Sequence, residues 1–463
     1  MSCRPRWSTA RSALLSVSFS AWFTIAAIAA FAQEGPDRPD TRGGDGPIEP
    51  VPAEVLAQRR AAFLELMEPG IALLRSADMR GDEDHPQDSD FRQDNDFYYL
   101  TGLETPRSWL VLLKPSKREP SVKLYLPQAN PDQEMWTGQR ITPQEAARTS
   151  GIAMVRPAED FPADVDSLLS RKDSAAGYEM IYLPFKRGKS TEHLADRAQQ
   201  AGLSVADVSG RLASLRLVKG PIELTRLRRA VAITVEALRE AMRAARPGMY
   251  EYELEAIIEF VFRSRGAERV GFPSVVGSGP NSVILHYDEN RRRMKPSDLV
   301  VMDVGAELGY YTADITRTIP VSGVFSDRQR EIYELVLSTQ EAVIDSVRPG
   351  VTLIELDRIA RQHMREHSGD LCGQESCDRY FVHSIGHWLG MAVHDVGSYG
   401  VPLEPGMVLT VEPGIYLPDE GLGVRIEDDI LVTEEGHEVL SAAAPKTVAE
   451  LEAIIGRRWT VSR

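Results

Sequence analysis

The sequence predicts a chain of mixed α and β structure (α/β, with α+β character) that forms two domains after an N-terminal processing segment. From residue 53 to 215, short apolar and β-branched runs alternate with helix-like segments, which is typical of a mixed α/β domain. From residue 216 to 463, long helical patterns flank two strand–turn–strand segments, 299–320 and 408–432, each with paired acidic residues. The length of 463 residues is sufficient for two domains with substantial cores.

The first 52 residues are predicted to lie outside both domains. Three arginines precede an uncharged stretch over 12–31, and the segment ends Ala30-Phe31-Ala32, the pattern of a cleaved secretory signal peptide over 1–32. An uncleaved membrane anchor is the alternative, because the stretch is near the length that spans a bilayer. Residues 33–52 contain five prolines and four glycines and are predicted to form a disordered linker. We therefore expect an exported protein, periplasmic or secreted.

The charge balance argues against one class of partner. The chain carries 53 basic and 68 acidic residues, a formal net charge of −15. A surface of this sign repels phosphate groups, so we expect no nucleic-acid partner.

The first domain shows structural patterns and no catalytic constellation. A helical spacing of apolar residues over 54–67 stops at Pro69-Gly70, where a helix is expected to end. A second helix-like segment is at 142–150. Strand-like runs are at 71–74, 97–100, 109–113, 122–126 and 180–183.

The first acidic hairpin of the second domain brings two aspartates together if its turn is Leu308-Gly309. That register makes Asp303 and Asp314 direct cross-strand neighbours, with Cβ atoms about 5 Å apart. Two facing carboxylates in an apolar hairpin repel, and burying them unpaired is costly. Either one of them points to solvent or a cation lies between them, and the remaining acids and histidines favour the cation.

The second acidic hairpin repeats this arrangement. A turn centred at 419–420 pairs Glu412 with Glu427, and Arg425 then lies on the same face as Glu427 because strand residues alternate. Two acid-bearing hairpins in one domain indicate a pseudo-two-fold internal repeat.

Between the hairpins, three of the nine histidines of the chain, His383, His387 and His394, fall within a short segment. The spacing of the first two would place both on one face of a helix. Gly386 and Gly390 disfavour a helix, so a loop or strand is predicted.

Four carboxylates and one imidazole make an oxygen-rich set that suits hard divalent ions, not a thiolate zinc site. The four negative charges match two divalent cations and leave room for a bridging hydroxide. Two ions about 3.5–4 Å apart polarise a carbonyl and lower the pKa of a shared water. The set is Asp303, Asp314, His387, Glu412 and Glu427.

At these residues the sequence resembles the aminopeptidase P/prolidase group of pita-bread metallopeptidases, and aminopeptidase P most closely. The motifs are VGSGPNSVILHY, VVMDVGAELGYYTADITRT, HSIGHWLGMAVHDVG, VLTVEPGIY and GVRIEDDI, which span most of 216–432. In the first domain, FRQDNDFYYLTGLETP and EMWTGQRIT resemble the N-terminal domain of the same group. The resemblance implies an aminopeptidase P-like domain over 53–215 and a catalytic pita-bread domain over 216–463.

Residue by residue, the resemblance implies that the five-residue set binds two divalent metal ions. Mn²⁺ is the expected ion, with Co²⁺ or Zn²⁺ as alternatives. Asp314 and Glu427 would bridge both ions, and Glu412 would also act as general base for the bridging water.

The resemblance assigns five further roles. His286, His383 and His394 would bind substrate at the scissile carbonyl and stabilise the tetrahedral intermediate. Arg425 would brace the ligands beside Glu427. Trp136 would be lent to the active site of a neighbouring subunit, so a homo-oligomer, dimer or tetramer, is expected.

The implied activity is hydrolysis of the bond between an N-terminal residue and a following proline. Prolidase, a Xaa-Pro dipeptidase, is the alternative. Prolidase-like relatives place an arginine near the loop 397–404 to hold the carboxylate of a dipeptide, and GSYGVPLE contains none. A relative that only binds peptides is disfavoured, because all five ligand positions and all three histidines are filled.

Two cysteines remain after removal of a signal peptide that contains Cys3. An even number of cysteines in an exported chain points to a disulfide between Cys372 and Cys377. Two free thiols are the alternative.

Overall fold

The computed structural model describes residues 48–78, 91–170, 177–185 and 188–457. The predicted signal peptide and residues 33–47 of the predicted linker lie outside the described residues. The end of that linker is ordered: Val51 is buried, and the Glu49 carbonyl accepts a hydrogen bond of 2.9 Å from Arg226 Nη2. Within the described ranges, no helix has the length and apolarity that crossing a membrane requires.

The helices and strands alternate in the first half of the chain and cluster by type in the second half. The helices are α1 (Ala53–Glu65), α2 (Asn95–Thr101), α3 (Pro131–Thr137), α4 (Pro143–Ser150), α5 (Phe161–Leu169), α6 (Gly188–Gln200), α7 (Ser209–Leu217), α8 (Pro221–Ala244), α9 (Glu251–Ser264), α10 (Asp327–Ile344), α11 (Leu353–His367) and α12 (Val448–Ile454). The strands are β1 (Gly70–Arg75), β2 (Trp109–Lys114), β3 (Ser121–Leu126), β4 (Met154–Pro157), β5 (Met180–Leu183), β6 (Ser204–Asp207), β7 (Arg269–Val270), β8 (Val275–Ser278), β9 (Leu299–Val304), β10 (Ala306–Leu308), β11 (Tyr311–Thr312), β12 (Ile315–Pro320), β13 (Val408–Val411), β14 (Gly414–Leu417), β15 (Leu422–Arg425), β16 (Asp428–Val432) and β17 (His437–Val439).

The first domain is built on a six-stranded mixed sheet of order β4-β3-β2-β1-β5-β6. Both faces of the sheet are covered by other parts of the chain, and the side chains of β1, which alternate between the two faces, show how. Ile71 and Leu73 point to one face, where they pack with the apolar residues of α5 and α6. Ala72 and Leu74 point to the other face, whose core also contains Leu227, Tyr310 and Leu389. The sheet and the second half of the chain therefore share one core.

The prediction of a strand at 97–100 is wrong, because these residues belong to helix α2. Asp94 precedes the helix and its side chain accepts a hydrogen bond from the Phe97 amide, which is an N-cap. Gly102 follows the helix with φ 66°, a left-handed conformation that ends it. These caps determine the short helix in spite of its aromatic residues.

The register predicted for the first acidic hairpin is wrong by two residues. The turn is Gly309-Tyr310, and both residues have positive φ, 57° and 73°. Strands β9 and β12 consequently pair Asp303 with Thr316. Asp314 is displaced along the strand from that pair and is not the direct neighbour of Asp303. Two positive φ values are typical of the tight hairpin turn that matches strand twist.

The register predicted for the second acidic hairpin is correct on both sides of its acids. Strands β14 and β15 pair Gly414 with Arg425, and β13 and β16 pair Val411 with Asp428. Glu412 and Glu427 lie between these pairs, in the gaps where both strands are interrupted. The histidine-rich segment between the hairpins contains no helix, as predicted.

The two cysteines of the second domain are bonded in the structure. Cys372 and Cys377 form a disulfide, with their Cα atoms 5.3 Å apart. The bridge lies between the end of α11 and the short turn that leads into the histidine-rich segment.

Candidate active site

The structure brings all five predicted ligand side chains together at the meeting point of the two hairpins. His387 Nε2 lies 3.3 Å from Asp314 Oδ2 and 3.3 Å from Glu412 Oε1. Potential ligand atoms of Asp314, His387 and Glu427 all lie within 4.8 Å of one another. Asp303 lies near enough for its charge to raise the pKa of both Asp314 and Glu427.

The interruptions of the second hairpin direct its acids into the site. The Glu412 amide leaves the hairpin ladder and donates to the carbonyl of Ile385, at 2.8 Å. The Glu427 amide donates to the carbonyl of Thr316, at 3.1 Å, and so joins the two hairpins. A continuous ladder would use these backbone groups within the hairpin. The breaks therefore place both carboxylates against the other hairpin and the histidine segment.

The protein has too few cationic side chains in the site to balance the buried carboxylates. Asp303 Oδ1 and Glu427 Oε1 are buried and have no hydrogen-bond partner among the described residues. Burial and the neighbouring carboxylates raise the pKa of Asp314 well above its ordinary value, and they raise that of Glu427 in the same way. A divalent cation binds carboxylate oxygens and offsets their mutual repulsion. These residues therefore fit a metal centre.

Two threonines that the sequence analysis missed support the ligands. Thr316 Oγ1 donates to Glu427 Oε2 at 2.6 Å and accepts from Arg425 Nε at 3.1 Å. Thr410 Oγ1 donates to Glu412 Oε1 and accepts from the amide of His387, at 3.3 and 3.1 Å. Each threonine lies two residues from an acid, Asp314 or Glu412, and that spacing on a strand could have identified it.

Arg425 neutralises one side of the site. Its Nη2 donates to Asp303 Oδ2 at 2.5 Å, and its Nη1 donates to the Tyr416 hydroxyl at 2.9 Å. Although burial opposes the charge, Tyr416 and Asp303 raise the pKa of Arg425 well above its ordinary value. Arg425 is therefore a permanent cation that orients Asp303 and, through Thr316, Glu427.

The three predicted substrate histidines differ in their surroundings. His383 is engaged at both ring nitrogens, with Nε2 2.8 Å from the Tyr416 hydroxyl and Nδ1 2.9 Å from the Ser384 carbonyl. His286 and His394 are exposed, and their rings lie 6.5 Å apart between centroids, tilted by 43°. Neither ring forms a hydrogen bond to a described residue. His394 also lies edge-on to His387, at 4.3 Å between centroids.

Trp136 does not join these residues within one chain. It lies on α3 in the first domain, and 81% of its surface is exposed. Met135 beside it is 83% exposed.

Comparisons with known proteins agree with this geometry. A family model described as metallopeptidase family M24 matches residues 225–434, and one described as aminopeptidase P, N-terminal domain, matches 56–176. The Xaa-Pro aminopeptidase of Escherichia coli (strain K12) is 36% identical over 425 residues, which cover 86% of this chain and 96% of that protein. The chain belongs to metallopeptidase family M24.

Solved structures support the assignment of this M24 metallopeptidase. Aminopeptidase P from E. coli with the inhibitor Pro-Leu superposes with a TM-score of 0.80 at 34% identity and covers 88% of this chain and 98% of its own. Pseudomonas aeruginosa aminopeptidase PepP gives a TM-score of 0.80 at 35% identity, over 87% and 98% of the chains. The predictions of an aminopeptidase P-type metallopeptidase enzyme and of its two-part α/β and pita-bread fold are confirmed.

Proposed function

We propose that this M24 metallopeptidase is a Xaa-Pro aminopeptidase that releases an N-terminal residue preceding proline and uses two divalent metal ions. One observation carries the proposal: four carboxylates and His387 converge in a buried site that contains unpartnered carboxylate oxygens. The similarity to the E. coli Xaa-Pro aminopeptidase supports the choice of reaction and substrate.

The five residues would hold the ions in two roles, bridging and terminal. Asp314 and Glu427 would each contact both ions, while Asp303, His387 and Glu412 would complete the coordination. When bound, two such ions polarise the scissile carbonyl and activate a shared water. Mn²⁺ is our first choice and Co²⁺ or Zn²⁺ the alternatives, since five oxygen and nitrogen ligands accept each of them.

The residues of the chain would move and hold the protons. Glu412 is the general base, because its carboxylate reaches into the ligand group beside His387. It would accept a proton from the attacking water and deliver it to the departing proline nitrogen. His286 and His394 have exposed rings with no hydrogen bond to a described residue and would donate hydrogen bonds to the scissile carbonyl. His383 contributes through Tyr416, to which it is already bonded.

The metal assignment can be tested with purified variants. Asp314→Ala and Glu427→Ala each remove a proposed bridging ligand, and we expect each to lose at least one ion and to lower kcat by several orders of magnitude. Metal analysis of the washed proteins measures the stoichiometry. Two retained ions together with near-normal turnover would refute the assignment.

Substrate length distinguishes the proposed activity from prolidase. The loop 397–404 contains no arginine that could hold the carboxylate of a dipeptide. We therefore expect release of arginine from Arg-Pro-Pro and cleavage of longer Xaa-Pro peptides. Cleavage confined to Xaa-Pro dipeptides would make the protein a prolidase, and binding without cleavage would make it a non-catalytic relative.

Assembly and export are part of the proposal. The exposed pair Met135 and Trp136 would contact another subunit of a dimer or tetramer, with Trp136 reaching its active site. Light scattering of the wild type and Trp136→Ala, together with KM for Arg-Pro-Pro, tests this assembly. A monomer with unaltered KM would contradict it.

Export is tested by N-terminal sequencing of protein from the exported fraction, which is expected to begin at Gln33.

A further inference from the structure

The position of His394 depends on a loop with little regular structure. This loop, residues 388–395, follows the ligand His387, and a bridge between Trp388 and Leu409 ties its start to a strand. The Gly390 carbonyl also accepts from the Thr312 amide on β11, at 3.0 Å. The His394 ring has no hydrogen bond to a described residue that would orient it. Its position is therefore set by the backbone of the 388–395 loop and by what holds that backbone.

Asp395 closes the 388–395 loop on itself. Its amide donates to the Trp388 carbonyl at 2.8 Å, and its Oδ2 accepts from the Met391 amide at 3.3 Å. The side chain is only 1% exposed. A Cβ atom at Gly390 would lie 2.2 Å from Asp395 Oδ2, so the tight loop requires glycine at this position.

Arg216 supplies the charge that lets Asp395 be buried. Arg216 Nη2 donates to Asp395 Oδ1, and Nη1 donates to Asp96 Oδ1 at 2.7 Å. The Arg216 side chain is 4% exposed. One guanidinium thus joins the 388–395 loop to Asp96 on α2 of the first domain, a bridging geometry that a planar two-armed donor provides.

The first domain also holds the middle of the loop. The Met391 carbonyl accepts a hydrogen bond from Arg92 Nη2 at 2.7 Å and from Asn95 Nδ2 at 3.2 Å. Arg92 is itself fixed, because its Nε donates to both carboxylate oxygens of Glu307 at 3.0 and 2.9 Å. Both backbone polar groups of Met391 are thereby used, the amide by Asp395 and the carbonyl by the first domain.

We propose that Arg216, clamped between Asp96 and Asp395, is a positioning residue that couples the first domain to His394 and sets the catalytic rate. It acts through the backbone of the 388–395 loop and does not contact substrate. The inference rests on the proposed function, which assigns His394 to the scissile carbonyl. The N-terminal domain then has a catalytic task in addition to packing.

The matched test uses the same substitution at two interdomain arginines. Arg216→Lys keeps the charge but cannot hold two carboxylates in one plane. Arg59→Lys is the control: Arg59 is 9% exposed, pairs with Glu223 at 3.3 Å between α1 and α8, and bonds no residue of the 388–395 loop. We expect Arg216→Lys to lower kcat for Arg-Pro-Pro about tenfold or more, since small misplacements of catalytic groups are costly. Metal content should be unchanged, and Arg59→Lys should keep kcat within about twofold.

A double-mutant cycle with His394→Ala separates positioning from general destabilisation. If Arg216 acts through His394, Arg216→Lys lowers kcat by less than about twofold in the His394→Ala background. Equal fold-losses in both backgrounds, or equal losses in Arg216→Lys and Arg59→Lys, would overturn the inference. An unchanged kcat in His394→Ala would instead overturn the assigned role of His394.

A milder variant covers the case in which Arg216→Lys does not fold. Asp96→Asn removes the first-domain half of the clamp and leaves the Arg216–Asp395 pair in place. We expect about a threefold lower kcat with unchanged metal content, and this loss of kcat should again occur only in the presence of His394. A kcat equal to that of the wild type would contradict the coupling to the first domain.

Discussion

Replacing both Cys372 and Cys377 by alanine is expected to lower the unfolding temperature slightly and to leave turnover nearly unchanged. The disulfide closes a loop with a sequence separation of five residues. Chain-entropy arithmetic for so small a ring gives roughly 2 kcal/mol of stabilisation. A chain of 463 residues has an unfolding entropy on the order of 1 kcal/mol per kelvin. The expected decrease in the unfolding midpoint is therefore about 2 °C.

The small effect on turnover follows from other contacts around His383. Cys377 precedes His383 by only six residues, so the disulfide is one candidate for ordering the segment that contains the histidines. In the structure, Arg361 donates to the carbonyls of Phe381 and His383 at 2.9 and 2.8 Å, and Ser368 Oγ accepts from the Cys377 amide at 3.0 Å. None of these bonds involves a cysteine sulfur, so we expect them to remain in the variant and kcat to change by less than about twofold, as for most substitutions away from a site.

Calorimetry of the alanine double variant and wild type, with and without reductant, measures the effect. Reductant should lower the midpoint of the wild type alone, to that of the variant. Alkylation of Cys372 and Cys377 in the wild type without reductant would show that the bond does not form. A tenfold loss of kcat in the variant would refute the argument that Arg361 holds the segment.

Two further predictions concern the groups behind the ligands. Thr316→Val removes the hydroxyl that donates to Glu427. In a chelator competition, this variant is expected to bind metal about 10–100-fold more weakly than the wild type. Thr339→Val, a buried control on α10, should bind metal as the wild type does. Asp428→Asn is expected to lower the free energy of unfolding, measured in urea, by about 3–5 kcal/mol and to keep its metal content. Glu427→Gln is expected to lose metal and to keep its free energy of unfolding. Metal loss in Asp428→Asn would contradict the division between these two acids.

The sequence predicted long helices well and turn geometry poorly, for physical reasons that particular residues show. The long helix Leu353–His367 follows signals that the sequence shows directly, because Thr352 and Glu355 form a capping box before a periodic apolar face. The segment 97–100 was misassigned because its aromatic residues resemble a strand, and the cap at Asp94 outweighs that preference. In a short segment, the side-chain periodicity covers too few residues to distinguish a helix from a strand. Local capping hydrogen bonds then determine which of the two forms.

The register error has a different cause and did not prevent identification of the site. The turn at Gly309-Tyr310 requires a tyrosine with positive φ, which sequence propensity disfavours. Tyr310 is held there by tertiary contacts: its hydroxyl accepts from the Gln93 amide at 3.0 Å, and its ring stacks on Tyr98 at 3.7 Å. A register shift of two residues preserves the face of each side chain, so Asp303 still points into the site.

Adjacent acids show why burial alone does not identify a ligand. Glu427 and Asp428 are consecutive and both buried, yet they face different surroundings. Asp428 accepts from Arg317 Nη2 at 2.7 Å and from Lys446 Nζ at 2.9 Å, and although burial opposes its charge, these cations hold its pKa below the ordinary value. Glu427 lacks a partner for Oε1 among the described residues, and burial with neighbouring carboxylates raises its pKa. The protein supplies cations to Asp428 and leaves Glu427 without them, so the uncompensated negative charge lies on the side where we propose that the metal ions bind.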